Sequence, residues 1–500
     1  MNSQFFSHHR AGLFALFVVC CTLLAGYLRL DFYPDTYYGD EEIPIAVVSH
    51  MEKSQSLDTN WARGVWRKPE DRWAYGYDQY NFSSYNSTQY YLGQLFQVKK
   101  NNINPAVFNR ICSVAFQTLA LIIICYAINY LIGIYGAIAA GLFFVFNPLL
   151  VVDAHYARPE SFLIVITTLA IVFHLLAIKK LHRNYFLLSA FMWGVAVACK
   201  FSVLPMAALC ILTSLPQDTS RNKNIFNSAI WLLGFLTGAF LLAPYAFIHA
   251  DKVAHGVLVL FKQYFSADSV SDVSFHRSDL LLPKYLLGYF GAAFWVAITL
   301  SLLHTDQWLK KLAMISLAVS IFYILIFSLV SFFNESNLSH LAFVWCLLIA
   351  IAVEASLARA RKKTGHIHVF FIVITIAIVA TPALCSFKIR TEVYNPAGVQ
   401  KNQLAIEQME NTIIFTHPGH RMVDLSNQPA LLNQAMEDHA VIKIPWMDRK
   451  EYIDIAQILA SHHYELLDEI LLPLHELPHS QLQSIHFPAS YRYYQFRKPD

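Results

Sequence analysis

Three stretches of this chain place acids and bases where the surrounding sequence is almost wholly apolar. The first is TYYGDEEIPIAVVSHM, residues 36–51, with Asp40, Glu41 and Glu42 in a row. The second is NPLLVVDAHYARPESF, residues 147–162, with Asp153, His155, Arg158 and Glu160. The third is GVAVACKFSVLPM, residues 194–206, where Lys200 stands by itself. A carboxylate held at a fixed point can take a proton from a hydroxyl, as a general base does. An arginine at membrane depth is costly and takes a partner; phosphate oxygens match its guanidinium fork. Together these types suit activation of a hydroxyl beside an anionic, lipid-linked group.

Each stretch also has a plain structural reading. Asp40 or Gly39 can cap a helix whose first turn holds Glu41, Glu42 and Pro44. Pro159 and Glu160 can open another helix in the same way. Lys200 can snorkel to lipid headgroups. For Asp40 the two readings are compatible, because a helix start fixes a carboxylate in space.

The elements that must carry these residues follow from hydropathy. The chain is 56% hydrophobic and 14% charged, with a mean hydropathy of +0.41, against about 25% charged for a soluble domain. The composition points to lipid as solvent. A net charge of +3 gives no support to nucleic-acid binding. Apolar runs of spanning length lie near 11–30, 106–130, 132–152, 159–178, 225–245, 283–303, 312–332, 339–358 and 367–387. The stretch 184–215 reads as two short helices meeting near Lys200, giving about eleven transmembrane helices. Basic loops at Lys179–Arg183, Arg221–Lys223, Lys310–Lys311 and Arg359–Lys363 then all fall on the cytoplasmic side, with Arg10. The expected fold is therefore an α-helical polytopic membrane protein. Its transmembrane domain is 1–387, with a long first extracytoplasmic loop, 31–105. A small extracytoplasmic α/β domain, 388–500, follows, in which NTIIFTH and AVIKIP read as strands and ALLNQAMEDH and EYIDIAQILASHHY as helices.

Other signals are weaker. The eight cysteines show no CxxC spacing and read as small apolar packing residues. The tail histidines His417, His420, His462, His463, His475 and His479 lack a ligand pattern, so no cofactor is expected and a divalent metal has no support. Trp61, Trp66, Trp73, Tyr75 and Tyr77 suit the membrane interface or a sugar face. Four N-glycosylation triplets, beginning at Asn81, Asn86, Asn334 and Asn337, are read as chance matches.

The order of features resembles the GT-C glycosyltransferases, most closely the bacterial branch related to protein O-mannosyltransferases and aminoarabinose transferases. The resemblance rests on Asp40–Glu41 after the first span, on Ala157-Arg158-Pro159-Glu160, on Gly194–Lys200, and on Arg110 opening the second span. It covers roughly residues 10–345. It implies a polyprenyl-phosphate sugar donor, transfer on the extracytoplasmic face, inversion at the anomeric carbon, and Asp40 as general base with Glu41 beside it. Departures are NFSSYNSTQYYLGQ (81–94) where relatives carry Lys-Pro-Pro, Ile43 where aminoarabinose transferases carry Arg, and His340 where relatives show Arg-Tyr. The sequence reading thus assigns catalysis to Asp40 and Glu41, donor phosphate to Arg158, Lys200 and His155, and substrate lining to Asp153, Tyr85 and His340. The acceptor is a glycolipid, glycan or protein. The expected location is a bacterial inner membrane with the N-terminus cytoplasmic and the C-terminus extracytoplasmic, the endoplasmic reticulum membrane being the other setting. The rival reading is a polytopic transporter or lipid flippase, which predicts related halves and ionisable groups at mid-membrane.

Overall fold

The structure is a computed structural model. It describes residues 3–33, 42–57, 59, 88–156, 158–180, 182–208, 221–248, 250, 253–254, 257–258, 281–329, 335–363, 367–394, 412–414, 441–445, 460, 465–473 and 490–497. Asp40, Glu41 and Tyr85, and the two expected tail helices apart from residue 460, lie outside the described residues.

The bundle comprises α1 (Ser3–Arg29), α4 (Pro105–Leu131), α5 (Ile134–Val145), α6 (Pro148–His155), α7 (Glu160–Lys180), α8 (Arg183–Cys199), α9 (Arg221–Leu242), α10 (Pro244–Ile248), α11 (Leu281–Ser301), α12 (Gln307–Leu329), α13 (Ala342–Lys363) and α14 (Ile367–Lys388). Two short helices, α2 (Glu42–Ser54) and α3 (Thr88–Leu95), belong to the first loop. Six described helices are long and apolar enough to cross a membrane, or seven if the bent pair α5–α6 is one span. The protein is a multi-pass membrane protein. The distance from eleven has identifiable sources. Ser228–Leu242 and Leu286–Ser301 are shorter apolar stretches, α8 has 17 residues, and the half-hairpin expected at 200–215 runs beyond the described residues after position 208.

α13 is the centre of the bundle. Nearly all of its apolar stretch is buried, and Phe290 and Phe294 pack against both Phe143 and Trp345, with ring centroids as close as 4.8 Å. A helix apolar all round belongs inside. At the periphery Leu13, Leu16 and Leu23 of α1 and Val369, Ile372 and Val373 of α14 are exposed, as lipid-facing side chains should be.

α8 and α9 cross with backbones nearly touching. A Cβ at Gly194 would collide with the Phe235 carbonyl, and one at Gly238 with the Phe191 carbonyl. Small residues permit this approach, with Gly234 and Gly238 four apart on α9. Gly194 is thus a packing residue, and it sets where α8 delivers Lys200.

The break between α5 and α6, bent by 47°, is built by Asn147 and Pro148. The Asn147 side chain accepts from Leu149 N at 3.1 Å and Pro148 occupies the first helical position. Lipid offers no donor for the carbonyls that a break frees. Side chains supply them: Arg29 to Phe144 O (2.8 Å) and Ser386 to Phe146 O (2.9 Å); Gln117 adds a bond to Leu150 O inside α6 (2.9 Å).

In the first loop α2 and α3 pack through buried Val47, Val48, Met51 and Tyr90. Gln94 donates to Met51 O and Ser56 O, and Tyr91 donates to Leu242 O at 2.7 Å, fastening the pair to α9. The described part of α2 begins at Glu42, with Pro44 in its first turn.

In the tail, β1 (Thr412–Ile414), β2 (Val441–Pro445), β3 (Glu465–Pro473) and β4 (Ser490–Arg497) form a sheet of order β1-β2-β4-β3. β1 and β2 pair in parallel, Ile413 opposite Ile442, and β4 runs antiparallel to both β2 and β3. A parallel pair requires a crossover, and the segment between β1 and β2 lies outside the described residues. β1 and β2 are the two strands read from the sequence; β3 and β4 were not.

Candidate active site

One end of the bundle gathers the charges. α6 reaches that end, the chain turns through Tyr156 and Arg158, and α7 departs from Glu160, with Pro159 O accepting from Leu163 N at 2.9 Å. α8 returns to the same end and stops at Lys200, whose backbone is extended (φ −155°, ψ 120°) before a short 3₁₀ turn, Phe201–Val203. The break read at Lys200 is therefore present. The basic residues at the α7–α8 turn lie at the opposite end, Lys179 over the ring of Tyr130 at 4.6 Å.

Arg158 and Lys200 meet on one carboxylate oxygen. Glu160 Oε1 lies 3.1 Å from the Arg158 guanidinium and 2.9 Å from Lys200 Nζ. All three are buried. Two cations on one buried anion are each desolvated, and the geometry is what offsets that cost. Asp153 joins the group: it is buried, Ser339 hydrogen-bonds to it, and Glu160, Arg158 and Lys200 all act on it electrostatically. Ser339 and His340 arrive on a 3₁₀ helix, Glu335–Leu341, leading into α13. His340 lies within the field of Lys200 and Glu160 and sets its ring edge-on to Tyr323 at 4.9 Å. The Tyr323 hydroxyl donates to Ser202 O and accepts from Met206 N, clamping the residues just after Lys200.

His155 goes elsewhere. Two residues beyond Asp153 on a helix, it faces a different way. Its Nδ1 is 2.7 Å from Val151 O, its Nε2 is 3.5 Å from Asp31 Oδ2, and its ring stacks on Tyr394 at 4.1 Å. Asp31 also meets Arg110 at 3.5 Å, and Arg110 donates to Tyr33 O at 2.6 Å. Arg390, in the π-helical turn Ile389–Val393, donates to Tyr27 O, Leu30 O and Tyr394 O. This second node joins the exits of α1 and α14 to the start of α4.

Of the residues read from the sequence, the structure brings together Asp153, Arg158, Lys200 and His340, and separates His155 from them. Glu160 and Ser339 were missed as site residues. Glu160 was legible as the end of Arg-Pro-Glu, but its helix-start role masked it. Among the described residues no group of three or more His, Cys, Asp or Glu side chains is arranged to hold a metal ion.

Residues 94–248 match the family described as dolichyl-phosphate-mannose-protein mannosyltransferase, a segment that contains Arg158, Glu160 and Lys200. No curated protein sequence matches the chain. Among solved structures, ArnT from Cupriavidus metallidurans bound to undecaprenyl phosphate aligns over 97% of this chain and 98% of that one, at 12% identity and a TM-score of 0.51. An oligosaccharyltransferase from Archaeoglobus fulgidus aligns over 80% of this chain and 58% of that one, at 13% identity and a TM-score of 0.49. The S. cerevisiae Pmt1-Pmt2 complex aligns over 51% of this chain and 35% of that one, at 16% identity and 0.33. In fold, along nearly its whole length, the chain resembles the membrane glycosyltransferase ArnT, and over residues 94–248 its sequence is similar to the dolichyl-phosphate-mannose-protein mannosyltransferase family.

Proposed function

We propose that this protein is an inverting glycosyltransferase. It moves a sugar from a polyprenyl-phosphate donor to a hydroxyl of a cell-envelope glycolipid, glycan or protein on the extracytoplasmic face of a membrane. The observation that carries the reading is the convergence of Arg158 and Lys200 on Glu160 Oε1, buried at one end of an ArnT-like bundle. Lys200 spends one of its three N–H donors on Glu160, and donors that remain can face a phosphate oxygen.

In this reaction the acceptor oxygen attacks the anomeric carbon from the side opposite the phosphate. The bond from that carbon to the phosphate oxygen breaks, and its electron pair leaves with the polyprenyl phosphate. Asp40 takes the acceptor proton, with Glu41 beside it at the entry to α2. Negative charge grows on the departing phosphate, so fixed cations there lower the barrier. Arg158 and Lys200 supply them without reorganising, since Glu160 already holds both in place.

The test is transfer by the purified full chain in lipid, read as release of undecaprenyl phosphate from undecaprenyl-phosphate sugars. Asp40→Asn should lower turnover by about 10²–10⁴-fold, the usual worth of a general base, at normal membrane levels. Unchanged sugar transfer by that variant rejects the assignment.

A further inference from the structure

Three buried acceptor-bearing groups of the charged cluster keep bonding capacity unspent. Asp153 Oδ2, Glu160 Oε2 and both ring nitrogens of His340 have no hydrogen-bond partner among the described residues. His340 is 1% exposed. It is held by shape, edge-on to Tyr323, and acts electrostatically with Glu160 and Lys200. A buried polar atom left unpaired costs about 1–3 kcal/mol, and such groups call for a function.

The chemistry of these atoms selects what can satisfy them. Glu160 is a carboxylate that two cations hold ionised, so its Oε2 accepts only, and a neutral imidazole offers one acceptor and one donor. A phosphate brings acceptors and cannot serve that carboxylate oxygen. A metal ion would need ligands grouped around it, and no such group of three exists among the described residues. A hydroxyl both donates and accepts, and a sugar ring carries several side by side.

We propose that His340, with Asp153 and Glu160, reads the hydroxyls of the transferred sugar, making His340 a specificity-determining residue. This rests on the donor reading above and deepens it by assigning the sugar its subsite. Loss of a hydrogen-bonding group in such a site penalises the matching substrate far more than a packing change would.

The test is binding to the full chain in lipid nanodiscs. The probes are bare undecaprenyl phosphate and its phosphoglucose, phosphogalactose, phosphomannose and phosphoarabinose forms. The unaltered protein should bind at least one phosphosugar lipid about tenfold more tightly than bare undecaprenyl phosphate. His340→Leu should abolish that preference and leave affinity for the bare lipid within about twofold, and His340→Gln should restore part of it. The lipid-free His340→Leu protein should melt at the same temperature or higher, because the substitution removes unpaired polar atoms. Equal weakening of both ligand types, or a lower melting temperature, makes His340 a packing residue and overturns the proposal. If the unaltered protein binds the bare lipid but prefers no sugar, sugar recognition falls while the donor reading stands. If it binds neither, both fall.

Discussion

Two buried charge clusters sit at the same end of this bundle and spend their charges differently. In the node of Asp31, Arg110, His155 and Arg390, the arginines point at main chain. Arg110 takes Tyr33 O, and Arg390 takes Tyr27 O, Leu30 O and Tyr394 O. Those carbonyls lie where α1 and α14 end, and a helix end in an apolar setting needs donors from elsewhere. In the cluster of Arg158, Glu160 and Lys200, charge meets charge, and Glu160 Oε2 and Asp153 Oδ2 keep lone pairs unused. The first arrangement is closed in that its arginines end on main-chain carbonyls. The second is open in that its two cations end on a single side-chain oxygen, which a substrate anion can share.

The sharpest way to break this contrast is Glu160→Ala. It leaves Arg158 and Lys200 buried without their anion, which costs about 3–5 kcal/mol. Thermal or chemical unfolding of the purified protein measures it. If the cations also serve a lipid phosphate, added undecaprenyl phosphate should recover part of the loss, since a ligand that binds the folded state stabilises it. A loss below about 1 kcal/mol would mean the pair is solvated and ordinary.

That contrast was only half visible in the sequence. Apolar runs, basic turns and the break at Lys200 follow from hydropathy and charge, which need no partner to be read. The strands at 412–414 and 441–445 were legible because β-branched residues are concentrated there. The strands at 465–473 and 490–497 were not: ELLDEILLP matches a helical period as well as an extended one, and pairing across the chain decides between them. At the site, Asp153 and His155 look equivalent in VVDAHYARPE, yet their helix sends them to different clusters. Glu160 was hidden because one residue performs two tasks, opening α7 and binding both cations. Among the described residues six or seven helices have the length of a span where hydropathy reads about eleven, because an apolar run measures hydropathy, whereas a bent pair at Asn147–Pro148 and a kink at Gly291 (φ 70°) shorten the helices inside it.

Gly194→Leu tests whether the open cluster depends on how closely α8 approaches α9. A side chain there must displace the Phe235 carbonyl. Overpacking of this kind costs about 1–3 kcal/mol, less than an orphaned buried ion pair. Because Lys200 ends the same helix, the variant should also weaken donor use by about tenfold, as misplacement by about 1 Å can. The paired measurement is melting temperature with the donor dependence of transfer. Stability lost with donor dependence intact would detach Lys200 from the packing of its own helix.

The smallest expected effect lies in the closed node, and it bears most directly on the distinction. Arg390→Lys keeps the charge but gives up the planar fork that reaches three carbonyls. Arg390 is half-buried and its bonds go to main-chain oxygens of α1's exit and of Tyr394, so about 1 kcal/mol of stability should go. Apparent affinity for undecaprenyl-phosphate sugars should stay within about twofold, a shift well under the 1.4 kcal/mol that marks a factor of ten. The two quantities come from unfolding curves and from donor titrations of the same preparation. Should donor affinity fall tenfold while stability holds, the carbonyl-bound arginines would belong to the substrate as much as to the scaffold. The sorting of buried charge by what it bonds would then fail for this end of the bundle.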